Sequence, residues 1–220
     1  MLVDPDPRCA RSRNLKSVST GVFITFEGGE GSGKSTQARR VAAARDAVLT
    51  RQPGGTAIGV SVRQLLLSTE TQAVSARAEA LLMAADRAQH VEELIRPSLA
   101  AGSDVVCDRY AASSLAYQGA GRELGIEEVL ALSTFAVDGL WPDLTVLIDV
   151  PVDVGLGRIG GAPDRLESQG TEFHERVRQA FLGFAAADPT RWVVVDGTKP
   201  LDVVSTAVDA AIADRLTCHE

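Results

Sequence analysis

The chain has 220 residues, 45% hydrophobic and 23% charged, with a formal net charge of −7 at pH 7. That length suits one domain with a substantial core, and the acid excess argues against broad polyanion binding, so no nucleic acid is expected as a partner. No run approaches the roughly 18 apolar residues needed to span a bilayer, so no membrane partner is expected either. The first 20 residues mix acids, prolines and bases without an apolar stretch. They read as a disordered extension and not as a secretory signal. Cys9, Cys107 and Cys218 are far apart and match no metal-ligand spacing. They fit a reducing, cytoplasmic setting, with Cys107 as a core thiol.

Residues 21–220 read as a single domain. The apolar run Val22–Phe26 predicts a first strand, followed by the glycine-rich loop 28–35 and a helix from Ser35. Ala47–Thr50 predicts a second strand that runs into the turn-rich R-Q-P-G-G-T at 51–56. A helix is expected over 57–67. The longest helix is expected from Ala76 to Ala101, with Ala78, Leu81, Leu82 and Ala85 at helical spacing. Pro97 should tighten or kink its last turn. Asp104–Cys107 predicts a third strand that delivers Asp108, Arg109 and Tyr110 at its carboxyl end. Helices near 112–119 and 126–138 lead to a fourth strand, Leu144–Ile148, ending at Asp149. Residues 155–170 are glycine-rich and polar, a poor core segment and a lid candidate. A helix at 171–187, a fifth strand Trp192–Val195 and a last helix complete the chain. This alternation predicts an α/β fold, a five-stranded parallel sheet with helices on both faces. Ligands in such folds gather beyond the carboxyl ends of the strands. The loop at 28–36, the turn at 51–56, Asp108, Arg109 and Asp149 all fall there.

The loop G-G-E-G-S-G-K-S fits G-x-x-x-x-G-K-[ST], with Gly28, Gly33, Lys34 and Ser35 at the fixed positions. Strand, loop and helix follow in the order that pattern requires. Glycines let the backbone turn N–H groups inward around anionic oxygens, and the next helix points its positive end at them. Gly28, Gly29, Glu30, Gly31, Ser32, Gly33, Lys34, Ser35 and Thr36 therefore form a candidate nucleotide-phosphate site. Lys34 would be its mobile cation and Ser35 a ligand for Mg2+.

Three further motifs accompany the loop. They are R-Q-P-G-G-T at 51–56, A-A-D-R at 84–87 and D-R-Y-A-A-S-S-L-A-Y-Q-G at 108–119. With F-E-G-G-E-G-S-G-K-S-T at 26–36, the set resembles the thymidylate kinases, from about Val22 to the last helix. The resemblance implies a P-loop NTPase-type three-layer fold with a short lid, commonly as a homodimer. It implies ATP and Mg2+, and transfer of the γ-phosphoryl group to dTMP.

Residue by residue, the resemblance places Glu30 at the acceptor's sugar hydroxyl and near the metal. A carboxylate in a phosphate loop is costly without such partners. Gly31 occupies the slot where some members carry an arginine. In the bacterial subgroup without that loop arginine the charge comes from the lid, which makes Arg158 and Arg165 the candidates. Arg109 is the implied bidentate clamp on the acceptor phosphate, and Asp108 would orient Mg2+ through water. Arg51 and Arg63 fall on the acceptor side. Pro53 matches a family proline that follows a cis peptide bond. Arg87 would donate to a thymine oxygen, with Met83 four residues earlier on the same helix face, where an aromatic is common. Ser114 falls near the base, Tyr117 beside the sugar, and Gln118 on the same wall. Asp149 could assist magnesium or anchor the turn at Pro151.

Two departures, Gln52 for the usual glutamate and Met83 for an aromatic, together with the short lid, motivate a rival reading as a nucleotide-binding module without turnover. A GTP-binding switch would need N-K-x-D and D-x-x-G motifs, and neither occurs. Another nucleotide kinase on this fold would lack the pair Arg87 and Tyr117.

Overall fold

The computed structural model describes residues 20–68, 74–160 and 162–216. Cys9, Cys218 and the reading of residues 1–19 as a disordered extension lie outside the described residues.

Five strands form one parallel sheet in the order β2-β3-β1-β4-β5. They are β1 (Phe23–Glu27), β2 (Val48–Arg51), β3 (Val105–Asp108), β4 (Leu144–Asp149) and β5 (Trp192–Asp196). The central strands are buried on both faces, so they read as near-continuous apolar runs and not as alternations. On one face Ile24, Phe26, Val106, Val146 and Ile148 pack against α1 (Lys34–Arg45) and α9 (Leu201–Leu216). On the other, Phe23, Val105 and Cys107 meet Val91, Ile95 and Leu99. Leu147 on that same face meets Phe173, Val177 and Phe181 of α8 (Thr171–Ala187). This is the expected three-layer arrangement, and Cys107 is a fully buried core thiol.

Four of the five strands run one residue past their last apolar side chain, and β2 runs two. The ladder continues there through the backbone, as Arg109 N–H donating to Phe26 O at 2.9 Å and Gln52 N–H to Asp108 O at 3.0 Å show. Hydrophobic pattern marks where burial ends, not where pairing ends.

The helix α2 (Ala57–Leu67) has the expected bounds, capped by Thr56 Oγ1 accepting from Gly59 N–H at 3.0 Å. The expected single helix over 76–101 is instead α3 (Ala76–His90), a π-helical segment Val91–Ile95, and α4 (Arg96–Ala100). Pro97 has no N–H to give and sits in the first turn of α4, where none is required. A second π-helical segment, Leu115–Gly121, extends α5 (Ala111–Ser114) beyond the expected 119, and α6 (Ile126–Val137) follows. The first residues of the expected lid are helical, closing α7 (Val152–Gly157).

Candidate functional site

A cleft of about 560 Å³ opens beyond the carboxyl ends of β1, β2 and β3. Lys34 and Ser35 line one end; Arg51, Pro53, Arg63, Met83, Arg87, Ser114, Tyr117 and Gln118 line the other. Glu30, Asp108 and Arg109 lie on its wall as well.

At the phosphate loop, Gly28, Gly31 and Gly33 have φ of 143°, 62° and 93°, which other residues rarely adopt. Gly33 precedes α1 without a side-chain cap, and the first turn holds no acid. Thr36 N–H turns back to Gly33 O at 3.1 Å, and the N–H groups of Lys34 and Ser35 at the open start of α1 suit an anion. Lys34 Nζ donates to Gly29 O at 3.0 Å across the loop, and burial pushes its pKa down. The loop also lies against α7. A Cβ on Gly31 would stand 2.0 Å from the carbonyl oxygen of Gly155, so the backbone there admits no side chain. The absence of a loop arginine has this steric counterpart.

Arg109 joins the loop to the rest of the cleft. It donates to Gly28 O at 2.9 Å, Glu30 Oε1 at 2.8 Å, Ser113 Oγ at 3.2 Å and the Tyr117 hydroxyl at 3.0 Å. The Tyr117 hydroxyl in turn donates to Glu30 Oε1 at 2.6 Å. Burial alone would raise the Glu30 carboxyl, but Arg109 and Lys34 outweigh it and hold the pKa at about 2. Burial would lower Arg109, and Glu30 with Tyr117 and Asp108 raises it instead. The cluster is thus a fixed charge pair at neutral pH.

Deeper in, Arg87 is fully buried. It donates to Gln52 Oε1 at 2.8 Å, Ser114 Oγ at 2.7 Å and Ser133 Oγ at 3.3 Å. Gln52, which stands where an acid is usual, therefore helps Ser114 and Ser133 orient Arg87. The Gln52–Pro53 peptide is cis, and Arg63 Nη1 donates to Pro53 O at 3.1 Å.

The two lid arginines part company. Arg158 Nη1 donates to Gly197 O at 2.9 Å, beside the loop that borders Ser32. Arg165 is bound away from the phosphate loop, donating to Leu66 O at 2.7 Å and Glu79 Oε2 at 2.7 Å. Asp149, left open between metal and turn, accepts from Arg178 at 2.8 and 2.9 Å, while its carbonyl accepts from Gly197 N–H at 2.8 Å. Its side chain thus ties the end of β4 to α8, and its carbonyl holds the turn after β5.

Against known proteins, the family model for thymidylate kinase matches residues 26–208. The chain belongs to the thymidylate kinase family. Thymidylate kinases transfer the γ-phosphoryl group of ATP to dTMP, giving dTDP and ADP, and this chain is a kinase of that family. It is 49% identical over 197 residues to the thymidylate kinase of Clavibacter michiganensis, covering 86% of this chain and 93% of that one. With the thymidylate kinase of Pseudomonas fluorescens it shares 47% over 204 residues, covering 90% and 97%. The crystal structure of thymidylate kinase from Ehrlichia chaffeensis superimposes with a TM-score of 0.72 at 33% identity, covering 88% of this chain and 99% of that one.

Four buried groups make contacts that the motifs do not announce. Glu27 accepts from Tyr110 N–H at 2.8 Å and Ser113 Oγ–H at 2.6 Å, and burial raises it to about 6. Asp86 accepts from Gly54 N–H at 3.1 Å, steadying the turn after Pro53. His90 lies 2.7 Å from Thr50 Oγ1 and is pushed down to about 4 by burial and then by Arg87, so it is neutral. Glu79 gathers Gln118, Arg122 and Arg165. A usable signal exists for two of them. Asp86 and His90 are four apart on α3, so they share one helix face, and that face packs on the chain at Thr50 and Gly54.

Proposed function

We propose that this cleft phosphorylates dTMP with the residues just described. The observation that carries the reading is the cluster Arg109, Glu30 and Tyr117, which ties a phosphate-binding loop to the far end of the same cleft. Residues 28–36 cradle the ATP phosphates, with Lys34 as their cation. Arg109 clamps the 5′-phosphate of dTMP, helped by Arg51 and Arg63. Glu30 accepts from the acceptor's sugar, and Tyr117 crowds the place of a ribose 2′-hydroxyl. Arg87 donates to thymine O4, held by Gln52 and Ser114, while Met83 packs on the ring. Gln118 Oε1 is buried without a partner among the described residues and accepts the thymine N3–H.

Asp108 Oδ1 is likewise buried without a partner, and Ser35 offers a hydroxyl on the same cleft. This donor set suits Mg2+, held by Ser35 and through water by Asp108, with Glu30 nearby. When bound, the ion supplies neutralisation of the donor phosphates. The acceptor phosphate is already ionised at neutral pH, so no strong base is needed and catalysis is alignment and charge neutralisation. Of the lid arginines, Arg158 lies on the donor side and serves the migrating group, while Arg165 anchors the lid.

Residues 21–220 act as one domain in a cytoplasmic homodimer. Exposed Ile58 and Leu65 on α2, Leu81 on α3 and Leu130 on α6 support an interface on these neighbouring helices. Among the described residues no helix is long and apolar enough to cross a membrane.

The test is diphosphate formation from ATP-Mg with dTMP, dUMP, dCMP, dGMP and the ribose form of TMP, offered separately. Rapid dTDP formation with a preference for dTMP is the expected result. Tight ATP binding without any diphosphate product would replace this reading with the non-catalytic module.

A further inference from the structure

Glu79 lies on α3 with no exposed surface, behind the residues that line the cleft. Its Oε1 accepts from Gln118 Nε2 at 2.9 Å and from Arg122 Nε at 3.3 Å. Its Oε2 accepts from Arg165 Nη2 at 2.7 Å and Arg122 Nη2 at 3.2 Å. A carboxylate only accepts, whereas a glutamine amide can present either an oxygen or an NH2 group to a neighbour.

The two orientations of the Gln118 amide are therefore far from equal. As placed, Nε2 donates to Glu79 and Oε1 is left buried and unpaired at the cleft. Turned over, Oε1 would face a carboxylate oxygen at hydrogen-bonding distance, two acceptors with no proton between them, and the cleft would see a donor. Glu79 thus decides what the cleft offers to a base. An acceptor at Gln118 and a donor at Arg87 match the N3–H and O4 of thymine. Cytosine presents an acceptor at N3 and an amino donor at C4, so it is wrong at both.

We propose that Glu79 is a specificity-determining positioning residue. It locks the Gln118 amide in the orientation that accepts thymine and rejects cytosine, without touching the substrate. The inference rests on the reading that the pyrimidine sits between Arg87 and Gln118. Uracil shows the same edge as thymine, so the lock separates dTMP from dCMP and not from dUMP. Because the same carboxylate holds Arg165, the lid anchor and the base reader share one partner.

The experiment compares kcat/KM for dTMP and dCMP in the wild type, Glu79→Gln, Glu79→Asp and Arg122→Met. A glutamine at 79 can face Gln118 with either end of its amide, so the lock opens. The dTMP to dCMP ratio should then fall about tenfold or more, the scale of one mispaired buried hydrogen bond, with KM for ATP within about twofold of wild type. Glu79→Asp keeps an acceptor-only group and should hold the ratio within about threefold, whatever its stability. Arg122→Met leaves Glu79 and Gln118 paired and should do the same. A folded Glu79→Gln enzyme with the wild-type ratio overturns the proposal. So does a ratio that collapses in Glu79→Asp or Arg122→Met, because general loosening of the network would then be the cause. If Glu79→Gln does not fold, Glu79→Asn compared with Glu79→Asp sets a two-faced amide against an acceptor-only group of the same length, and an equal ratio in that pair overturns the proposal. A wild type that makes dTDP but shows no preference over dCMP removes the underlying base-reading scheme, and the lock falls with it.

Discussion

Arg109 has a left-handed backbone, φ 69°, a conformation that costs a non-glycine residue of order 1 kcal/mol and needs its surroundings to hold it. Glu27 does so by binding the next amide, that of Tyr110, and the Ser113 hydroxyl that meets the Arg109 guanidinium. The result is a cation fixed at both ends before any phosphate arrives. Arg109→Ala is expected to lose at least a hundredfold in kcat/KM for dTMP while keeping ATP affinity within a fewfold, as paired kinetics and nucleotide titrations would show. Tyr117→Ala should relax discrimination against the ribose sugar about tenfold, whereas Tyr117→Phe keeps the bulk and should change it little. Assay of both sugars with each variant separates sterics from the hydroxyl's bond to Glu30.

The acid limb of stability belongs at this scale too. Glu30 is held at about 2, below the 4.5 of a free glutamate. Between those values the unfolded chain binds the extra proton, so the stability Glu30 contributes is complete above pH 4.5 and is lost as pH falls toward 2. The difference in urea midpoint between wild type and Glu30→Gln should therefore shrink from pH 6 to pH 3. Glu27 has the opposite sign, because its raised value of about 6 makes its contribution less favourable as pH climbs from 4.5 through 6.

Among the elements, the strands and most helices are legible because each buries a continuous apolar run or stripe. The phosphate loop, Arg109 and Tyr117 are legible because their chemistry fixes residue types at set spacings. The ends of strands are not, since backbone pairing outlasts hydrophobicity by a residue, as at Glu27 and Asp108. The π-helical segment at Val91–Ile95 escapes for a similar reason, because its side chains keep a helical rhythm while the backbone widens ahead of Pro97. Glu79 is hardest to see. An acid in the first turn of a helix reads as a dipole partner at the surface, and only tertiary packing brings two arginines and an amide onto it. At the lid, Arg165→Met should lower thermal stability, leaving Glu79 with one guanidinium fewer in a buried setting, by roughly 1–3 kcal/mol. Arg158→Met should leave stability within about 0.5 kcal/mol and cut kcat instead. Calorimetry and turnover on the same preparations distinguish the anchor from the catalyst.

At the scale of the molecule, the cleft is made by one chain, while the exposed apolar side chains on α2, α3 and α6 lie on the helices that also carry Arg63, Met83 and Arg87. An interface there would stiffen the acceptor pocket from behind. Leu81→Glu is expected to shift the protein from dimer to monomer in light scattering and to raise KM for dTMP more than KM for ATP. An unaltered mass would place the interface elsewhere.

The close approach of Gly31 to Gly155 has a consequence for how such enzymes diverge. Two backbones touch there, so the rim of the phosphate loop and the entry helix α7 are seated directly on each other. A chain built this way cannot acquire a loop arginine by a single substitution, because the newcomer would collide with a carbonyl that no rotamer can avoid. Moving the charge from lid to loop requires the entry helix to retreat at the same time. The two placements of that arginine are thus separate solutions divided by a steric barrier, and intermediates between them should be inactive.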